Sequence, residues 1–154
     1  IRRIMKEIEY KYTVNKKRWE QLEKPIPELI VQGFLHNTPD LVIRVRIKGT
    51  KGYLTLKGAT VGVTRTEFEY EIPLGDAEEI IQTFTSRHIR KNRYEIIQGN
   101  HLWEVDVFEG NLEGLVLAEI ELSSEDEKFE IPNWVLEDVS HDPNYYNAVL
   151  IQKC

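Results

Sequence analysis

The sequence predicts a β-dominated α+β fold, an eight-stranded antiparallel β-barrel with a few peripheral helices. Three observations support this prediction: short segments with period-two alternation of apolar and polar residues, turn signals between them, and little helical periodicity. The 154 residues contain no internal repeat, low-complexity tract or linker-like stretch. We therefore expect a single domain over residues 1–154.

The predicted strands are short, and most of them alternate strictly. They cover residues 7–12, 28–35, 42–48, 53–57, 65–72, 89–98, 102–108 and 115–122. Turn signals rich in glycine or asparagine lie at 49–52, 58–62, 98–100 and 109–114. Connections this short favour antiparallel neighbours.

Helical patterns are sparse, and we expect them outside the barrel, at residues 15–23, 76–86, 124–129 and 144–152. Asn15 can cap the first of these helices, which should end before Pro25. Asp76 can cap the second. The third is expected to be a single turn, and the fourth follows Pro143.

Composition excludes several classes of protein. The chain has 20 Lys and Arg against 26 Asp and Glu, and this net charge of -6 argues against a coat for nucleic acid or an anionic membrane. The single cysteine, Cys154, excludes an intrachain disulfide and a thiolate metal cluster. No apolar run is long enough to cross a bilayer. We expect a cytoplasmic protein with neither a nucleic acid nor a membrane as partner.

Charged residues are sorted by strand. Carboxylates dominate one face of the strands at 7–12, 102–108 and 115–122, and cations dominate one face of those at 42–48, 53–57 and 89–98. If these faces point inward, they line a polar tunnel with acidic and basic walls. If they point outward, the interior is apolar, as in a lipocalin-type barrel for small ligands.

A basic wall of this kind suits an anion with several phosphates, because Arg and Lys bind phosphate oxygens through fork-shaped and point-charge contacts. The carboxylates beside it would repel phosphate but can hold Mg²⁺ or Mn²⁺, which prefer oxygen ligands. A metal that bridges carboxylates to phosphate oxygens is the arrangement used in phosphoryl transfer.

A series of motifs in this order resembles the CYTH, or triphosphate tunnel metalloenzyme, superfamily. Glu7-Ile8-Glu9-Tyr10-Lys11 is similar to the family's ExExK signature. Similar elements follow at Gln32-Gly33-Phe34-Leu35, Arg44-x-Arg46, Tyr53-Leu54-Thr55-Leu56-Lys57, Arg65-x-Glu67-x-Glu69, Lys91-x-Arg93-Tyr94, Glu104-Val105-Asp106, Ala118-Glu119-Ile120-Glu121 and Tyr145-x-Asn147. The resemblance runs from residue 7 to about residue 150.

The resemblance implies a tunnel that binds a triphosphate with Mg²⁺ or Mn²⁺, and it assigns roles by position. The implied triphosphate ligands are Lys11, Arg44, Arg46, Lys57, Arg65, Lys91 and Arg93. The implied metal ligands are Glu7, Glu9, Asp106, Glu119 and Glu121. Glu67 and Glu69, which follow Arg65, match positions that hold a metal-bound water or brace the cations, and with Lys57 they are the catalytic candidates.

The implied activity is metal-dependent hydrolysis of inorganic tripolyphosphate, with weaker nucleoside triphosphatase activity. Class IV adenylate cyclase and thiamine triphosphatase activities are alternatives, although the His-Phe element of those cyclases is missing near the start. A polyphosphate- or nucleotide-binding module without catalysis is a further alternative. In the tunnel arrangement the strands' apolar faces point outward and need cover, so a homodimer through one of them is also an option.

Overall fold

Residues 7–154 are described by the computed structural model. They form ten strands: β1 (Glu7–Val14), β2 (Glu28–Asn37), β3 (Leu41–Lys48), β4 (Lys51–Gly58), β5 (Thr64–Arg65), β6 (Glu67–Ile72), β7 (Ile89–Gln98), β8 (His101–Phe108), β9 (Val116–Leu122) and β10 (Val135–Asp138). The β-dominated fold is therefore confirmed, and β10 is a short edge strand that the alternation did not predict.

The strands form one curled sheet, in which every pair described is antiparallel. The order is β10-β1-β9-β8-β7-β2-β3-β4-β6, and β5 pairs with β1. The single strand predicted over residues 65–72 is divided, because the chain changes partner at Thr66. Arg65 lies opposite Glu7 on β1, whereas Glu67 lies opposite Lys57 on β4. Within residues 7–154, the β6 end of the sheet therefore meets β1 through the short strand β5 and a hydrogen bond from the Glu9 N–H to the Val63 carbonyl oxygen, instead of along a continuous ladder.

The first two helices pack on the outside of the sheet. Helix α1 (Lys16–Gln21) begins after Asn15, whose Oδ1 accepts a hydrogen bond from the Arg18 N–H at 3.1 Å, so the predicted cap is confirmed. Helix α2 (Leu74–Phe84) begins after Pro73, earlier than predicted. Asp76 therefore lies in the first turn and not at the cap, where its charge still favours the helix N-terminus.

The remaining helical segments are short. Residues 124–126 form a bend and a turn, with the Glu127 N–H donating to the Ser124 carbonyl oxygen at 3.2 Å, so a single turn is present where one was predicted, although it is not a helix. The predicted terminal helix reduces to α3 (Asn147–Leu150), flanked by 3₁₀ turns at Pro143–Tyr145 and Ile151–Lys153. A further 3₁₀ turn covers Gly110–Leu112. In the part of the chain that is described, no helix combines the length and apolarity required of a membrane span.

Apolar side chains on the outer faces of the strands are covered by the helices and by residues 123–139. Trp134 lies between Trp103 of β8 and Trp19 of α1, with ring centroids 5.8 and 5.7 Å apart. Helix α2 covers β3 and β4 through Ala77 and Ile81. Because the apolar faces of the strands are covered on the outside, their charged faces point inward. The lipocalin-type alternative with an apolar interior is therefore excluded.

We expect Gly52→Ala to lower the free energy of unfolding by about 1–3 kcal/mol, because a Cβ there would overpack the contact between β4 and α2. The added atom would lie 2.6 Å from the Ala77 Cβ and 3.2 Å from the Ile72 carbonyl oxygen. Denaturant unfolding measures the change. Gly75→Ala is the matched control, because an added Cβ there meets nothing within 4 Å. Equal stability of the two variants would contradict the close packing.

Candidate active site

The curled sheet encloses a cavity of about 990 Å³. Every site residue predicted from the sequence except Asp106 lines it: Glu7, Glu9, Lys11, Arg44, Arg46, Lys57, Arg65, Glu67, Glu69, Lys91, Arg93, Glu119 and Glu121. These side chains come from strands far apart in sequence, and the inward-facing positions at i and i+2 bring them together.

Asp106 does not line the cavity but is buried against two cations of the basic wall, Arg93 and Lys91, and holds their side chains in place. Both of its oxygens accept hydrogen bonds from Arg93, at 2.7 and 2.9 Å, and Lys91 Nζ lies 2.7 Å from Oδ2. Burial would raise the pKa of Asp106, but the charges of Arg93 and Lys91 outweigh it and lower the pKa to about 2. Because Arg93 and Lys91 occupy both oxygens, the structure places this predicted metal ligand as the counter-ion of two cations.

Two other cations of the wall also pair with carboxylates. Lys57 Nζ lies 3.2 Å from Glu7, and the Glu7 charge raises the pKa of Lys57 although burial opposes it. Arg44 lies 3.7 Å from Glu69 and donates a hydrogen bond to Thr55 Oγ1 at 3.2 Å. Thr55 in turn donates to Glu69 at 3.0 Å, so both side chains are held in place.

Three cations of the cavity are held by neutral acceptors. Lys11 Nζ donates to the Tyr145 carbonyl oxygen at 3.0 Å, Arg46 Nε to Gln32 Oε1 at 2.9 Å, and Arg65 Nε to the Gly58 carbonyl oxygen at 3.0 Å. Within residues 7–154, none of the three forms an ion pair. The positive charge of these three side chains is therefore available to an anionic ligand in the cavity, although the chain as a whole is acidic.

Carboxyl groups of the acidic wall occur in hydrogen-bonded pairs. Burial, together with the charges of Glu119 and Glu7, raises the pKa of Glu9 well above its usual value. Burial would also raise the pKa of Glu119, but the charge of Lys11 and the hydrogen bond with Glu9 lower it. Glu9 therefore holds a proton more readily than Glu119 does.

A second pair joins Glu7 of β1 to Glu67 of β6. Burial and the contact with Glu7 raise the pKa of Glu67 to about 8. For Glu7, burial is outweighed by the charge of Lys57, and the pKa falls to about 2. Glu67 Oε2 is buried and has no hydrogen-bond partner among the described residues. A buried acceptor without a partner is costly unless a bound group supplies one.

The donors of this wall fit a hard divalent cation. They are carboxylate oxygens, and a cation can replace a proton on Glu9 or Glu67, the two groups whose pKa is raised. Across the described stretch 7–154, no three carboxylates, histidines or cysteines are already gathered as a metal cluster. The protein can thus offer a metal ion two carboxylates from one pair. Water or phosphate oxygens would complete the coordination, as is usual for Mg²⁺.

The sequence motifs gave no role to two buried or half-buried amides, Gln32 and Asn147, which connect the basic wall to the C-terminal segment. Gln32 is fully buried on β2, and its inward position in an otherwise apolar run was the available signal. Asn147 carried no comparable signal, because its place at the cavity depends on where residues 143–150 pack.

Comparison with known proteins agrees with the fold and with the cavity. The model of the CYTH domain matches residues 5–147, and the chain belongs to the CYTH family. An inorganic triphosphatase of Acetivibrio thermocellus is 43% identical over 148 residues, which are 96% of this chain and 94% of that protein. An inorganic triphosphatase of Nitrosomonas europaea is 36% identical over 123 residues, 77% of this chain and 81% of that protein.

Among solved structures, the crystal structure of the inorganic triphosphatase NE1496 is similar, with a TM-score of 0.64 and 31% identity. The alignment covers 94% of this chain and 96% of that one. The likeness therefore extends over nearly all of both chains, including the strands that carry the cavity residues.

We expect Asp106→Asn to lower the free energy of unfolding by about 3–5 kcal/mol, because Arg93 and Lys91 would lose their buried counter-ion. Chemical denaturation in a chelating buffer measures this loss without a contribution from metal. The control is Glu71→Gln, which removes an exposed carboxylate 3.9 Å from Lys51 and should change stability by less than about 1 kcal/mol. If Asp106→Asn is as stable as this control, Asp106 is not the brace of the wall.

The pair of Glu7 and Glu67 makes stability depend on pH. Because the pKa of Glu67 is raised from 4.5 to about 8 on folding, its contribution is fully present below about pH 4.5 and is lost as pH rises towards 8. In chelating buffer, Glu67→Gln should therefore lose less stability than the wild type between about pH 5 and about pH 8. Thermal unfolding at several pH values measures the slopes, with Glu71→Gln as the control. Parallel slopes for Glu67→Gln and the wild type would contradict the raised pKa of Glu67.

Proposed function

We propose that this chain is a divalent-metal-dependent triphosphatase that hydrolyses inorganic tripolyphosphate to pyrophosphate and phosphate. The observation that carries the proposal is the cavity itself, where Lys11, Arg46 and Arg65 form no ion pair with a carboxylate of residues 7–154 and where paired carboxyl groups also line the wall. The names of the two relatives that share 43% and 36% of aligned residues support the same substrate.

The cations would bind the phosphates of the substrate. A linear tripolyphosphate carries about four to five negative charges near neutral pH, so several cations are needed to neutralise it. The three cations without carboxylate partners offer charge at once. Arg44 and Lys57 are already paired, at 3.7 and 3.2 Å, and can turn part of their hydrogen-bonding capacity to phosphate without moving far.

Glu7, Glu9, Glu119 and Glu121 are proposed to hold Mg²⁺ or Mn²⁺. The metal, when bound, would supply charge stabilisation to the phosphate oxygens. Asp106 is left out of this set, because its oxygens are held by Arg93 and Lys91. Its proposed role is to fix those two side chains in the wall.

Glu67 is proposed to orient the attacking water. Its unpartnered buried Oε2 can accept a hydrogen bond from that water, and the pKa of about 8 makes the ionised form of Glu67 a stronger base than an ordinary carboxylate. Glu69 is proposed to hold Arg44 in position through Thr55. Lys57 is proposed to contact a terminal phosphate and to stabilise the charge that develops in the transition state.

The proposal is tested by phosphate release from tripolyphosphate, ATP and thiamine triphosphate, each with Mg²⁺, with Mn²⁺ and with a chelator. Release from tripolyphosphate that exceeds release from the other substrates and stops with chelator supports it. Formation of cyclic AMP from ATP would favour the cyclase alternative, and tight binding without turnover would favour a binding module. The homodimer, the absence of nucleic-acid and membrane partners, and the cytoplasmic location stay predictions.

Lys57→Ala and Glu119→Ala should each lower kcat/KM for tripolyphosphate by about a hundredfold or more, because each removes a charge that contacts the phosphates or the metal. Lys51→Ala, a change to an exposed cation on the same strand, should have no comparable effect. Glu137→Ala is the matched control for the carboxylate. Activity that survives both cavity substitutions would refute the assignment of residues.

A further inference from the structure

Asn147, the first residue of α3, joins the C-terminal segment to the basic wall. Its Oδ1 accepts a hydrogen bond from Lys91 Nζ at 2.9 Å and another from Gln32 Nε2 at 3.1 Å. Gln32 Oε1 accepts from Arg46 Nε, and Lys91 also contacts Asp106. A continuous chain of polar contacts therefore runs through the wall and includes one residue from α3.

The two donors fix the orientation of the Asn147 amide. An ammonium group has only donors, so the atom 2.9 Å from Lys91 Nζ must be the amide oxygen. The amide nitrogen then lies on the other side of the planar group. Asn147 is half-buried and lines the cavity, and its Nδ2 has no hydrogen bond to any of residues 7–154.

We propose that Asn147 is a substrate-binding residue whose Nδ2 donates a hydrogen bond to a phosphate oxygen of the bound polyphosphate, and this inference rests on the proposed function. An amide suits the position because it satisfies Lys91 and Gln32 without adding negative charge beside the anion. A carboxylate of the same shape would satisfy both donors equally well but would repel the substrate.

Gln32 is the positioning residue for this contact. Its amide accepts from Arg46 with one end and donates to Asn147 with the other, so it sets the distance between the Arg46 guanidinium and the Asn147 amide. It is 0% exposed, and its partners account for both ends of its side chain. Gln32 acts on the substrate only through Arg46 and Asn147.

The decisive variant is Asn147→Asp, which keeps the acceptor for Lys91 and Gln32 but replaces the free donor with a negative charge. We expect the KM for tripolyphosphate to rise about tenfold or more, with a smaller change in kcat. The thermal midpoint without substrate should be unchanged or higher, because the contact with Lys91 becomes an ion pair. A purely structural role of Asn147 predicts the opposite, an unchanged KM in this isosteric variant.

Asn147→Ala serves as the second variant, because it removes the donor without adding charge, and its KM should rise by less than that of Asn147→Asp. Asn144→Ala, an exposed change in the same segment, is the matched control and should match the wild type. For Gln32, Gln32→Glu should raise KM, because the new carboxylate would pair with Arg46 and would lose the donor to Asn147 Oδ1. A wild-type KM in both Asn147 variants, or a fall in stability that accounts for the loss, would overturn the proposal.

Binding of tripolyphosphate measured by calorimetry in a chelating buffer separates this inference from the proposed function. If the wild type neither binds tripolyphosphate in this buffer nor hydrolyses it when Mg²⁺ or Mn²⁺ is supplied, the proposed function fails. If the wild type does both and Asn147→Asp binds with the same Kd, the role of Asn147 alone fails. Weaker binding by Asn147→Asp than by Asn144→Ala supports it.

Discussion

Burial of many like charges inside a small barrel is the constraint on which the rest of the structure depends. A cation removed from water loses hydration energy, and it stays charged only if nearby groups replace that hydration. Asp106 does this for Arg93 and Lys91, with three contacts between 2.7 and 2.9 Å. The remaining cations of the wall depend on carbonyl oxygens, amides and other carboxylates.

This constraint also explains the outer surface. When charged faces turn inward, the apolar faces of the same strands turn outward, and water must be kept from them by other parts of the chain. The edge-to-face contacts of Trp134 with Trp19 and Trp103 and the packing of α2 against β4 provide this cover. The apolar residues of this protein are therefore buried between the outer surface of the sheet and the segments that cover it, whereas most globular domains bury them in a central core.

Most of the cavity could be predicted from the sequence, because the period of a strand decides which side chains share a face. Arg44 with Arg46, and Lys91 with Arg93, were assigned to the wall on this ground, and both pairs line the cavity. The direction of the face could not be derived in this way, since a solvated exterior gives the same alternation. The inward direction followed only from the resemblance to the CYTH family and from the structure.

Other features depend on pairing between distant strands, which a linear pattern does not contain. Asp106 is an acidic residue in a charged alternation like Glu119, yet its position opposite Arg93 makes it a counter-ion. The change of partner at Thr66 has the same origin, because it follows from the curl of the sheet. Asn147 reaches the cavity through tertiary packing alone.

The position of β1 has a consequence for how the molecule forms. This strand carries Glu7, Glu9 and Lys11, yet it lies between β9 and β10, whose residues come more than a hundred positions later in the chain. Pairings of such long range are slow to form, because loop closure must precede the contacts that stabilise it. During synthesis, β1 can therefore pair with the two-residue strand β5 but not with β9 or β10 while β2 to β8 emerge. The groups proposed to bind the substrate come together only after β9 and β10 have been made.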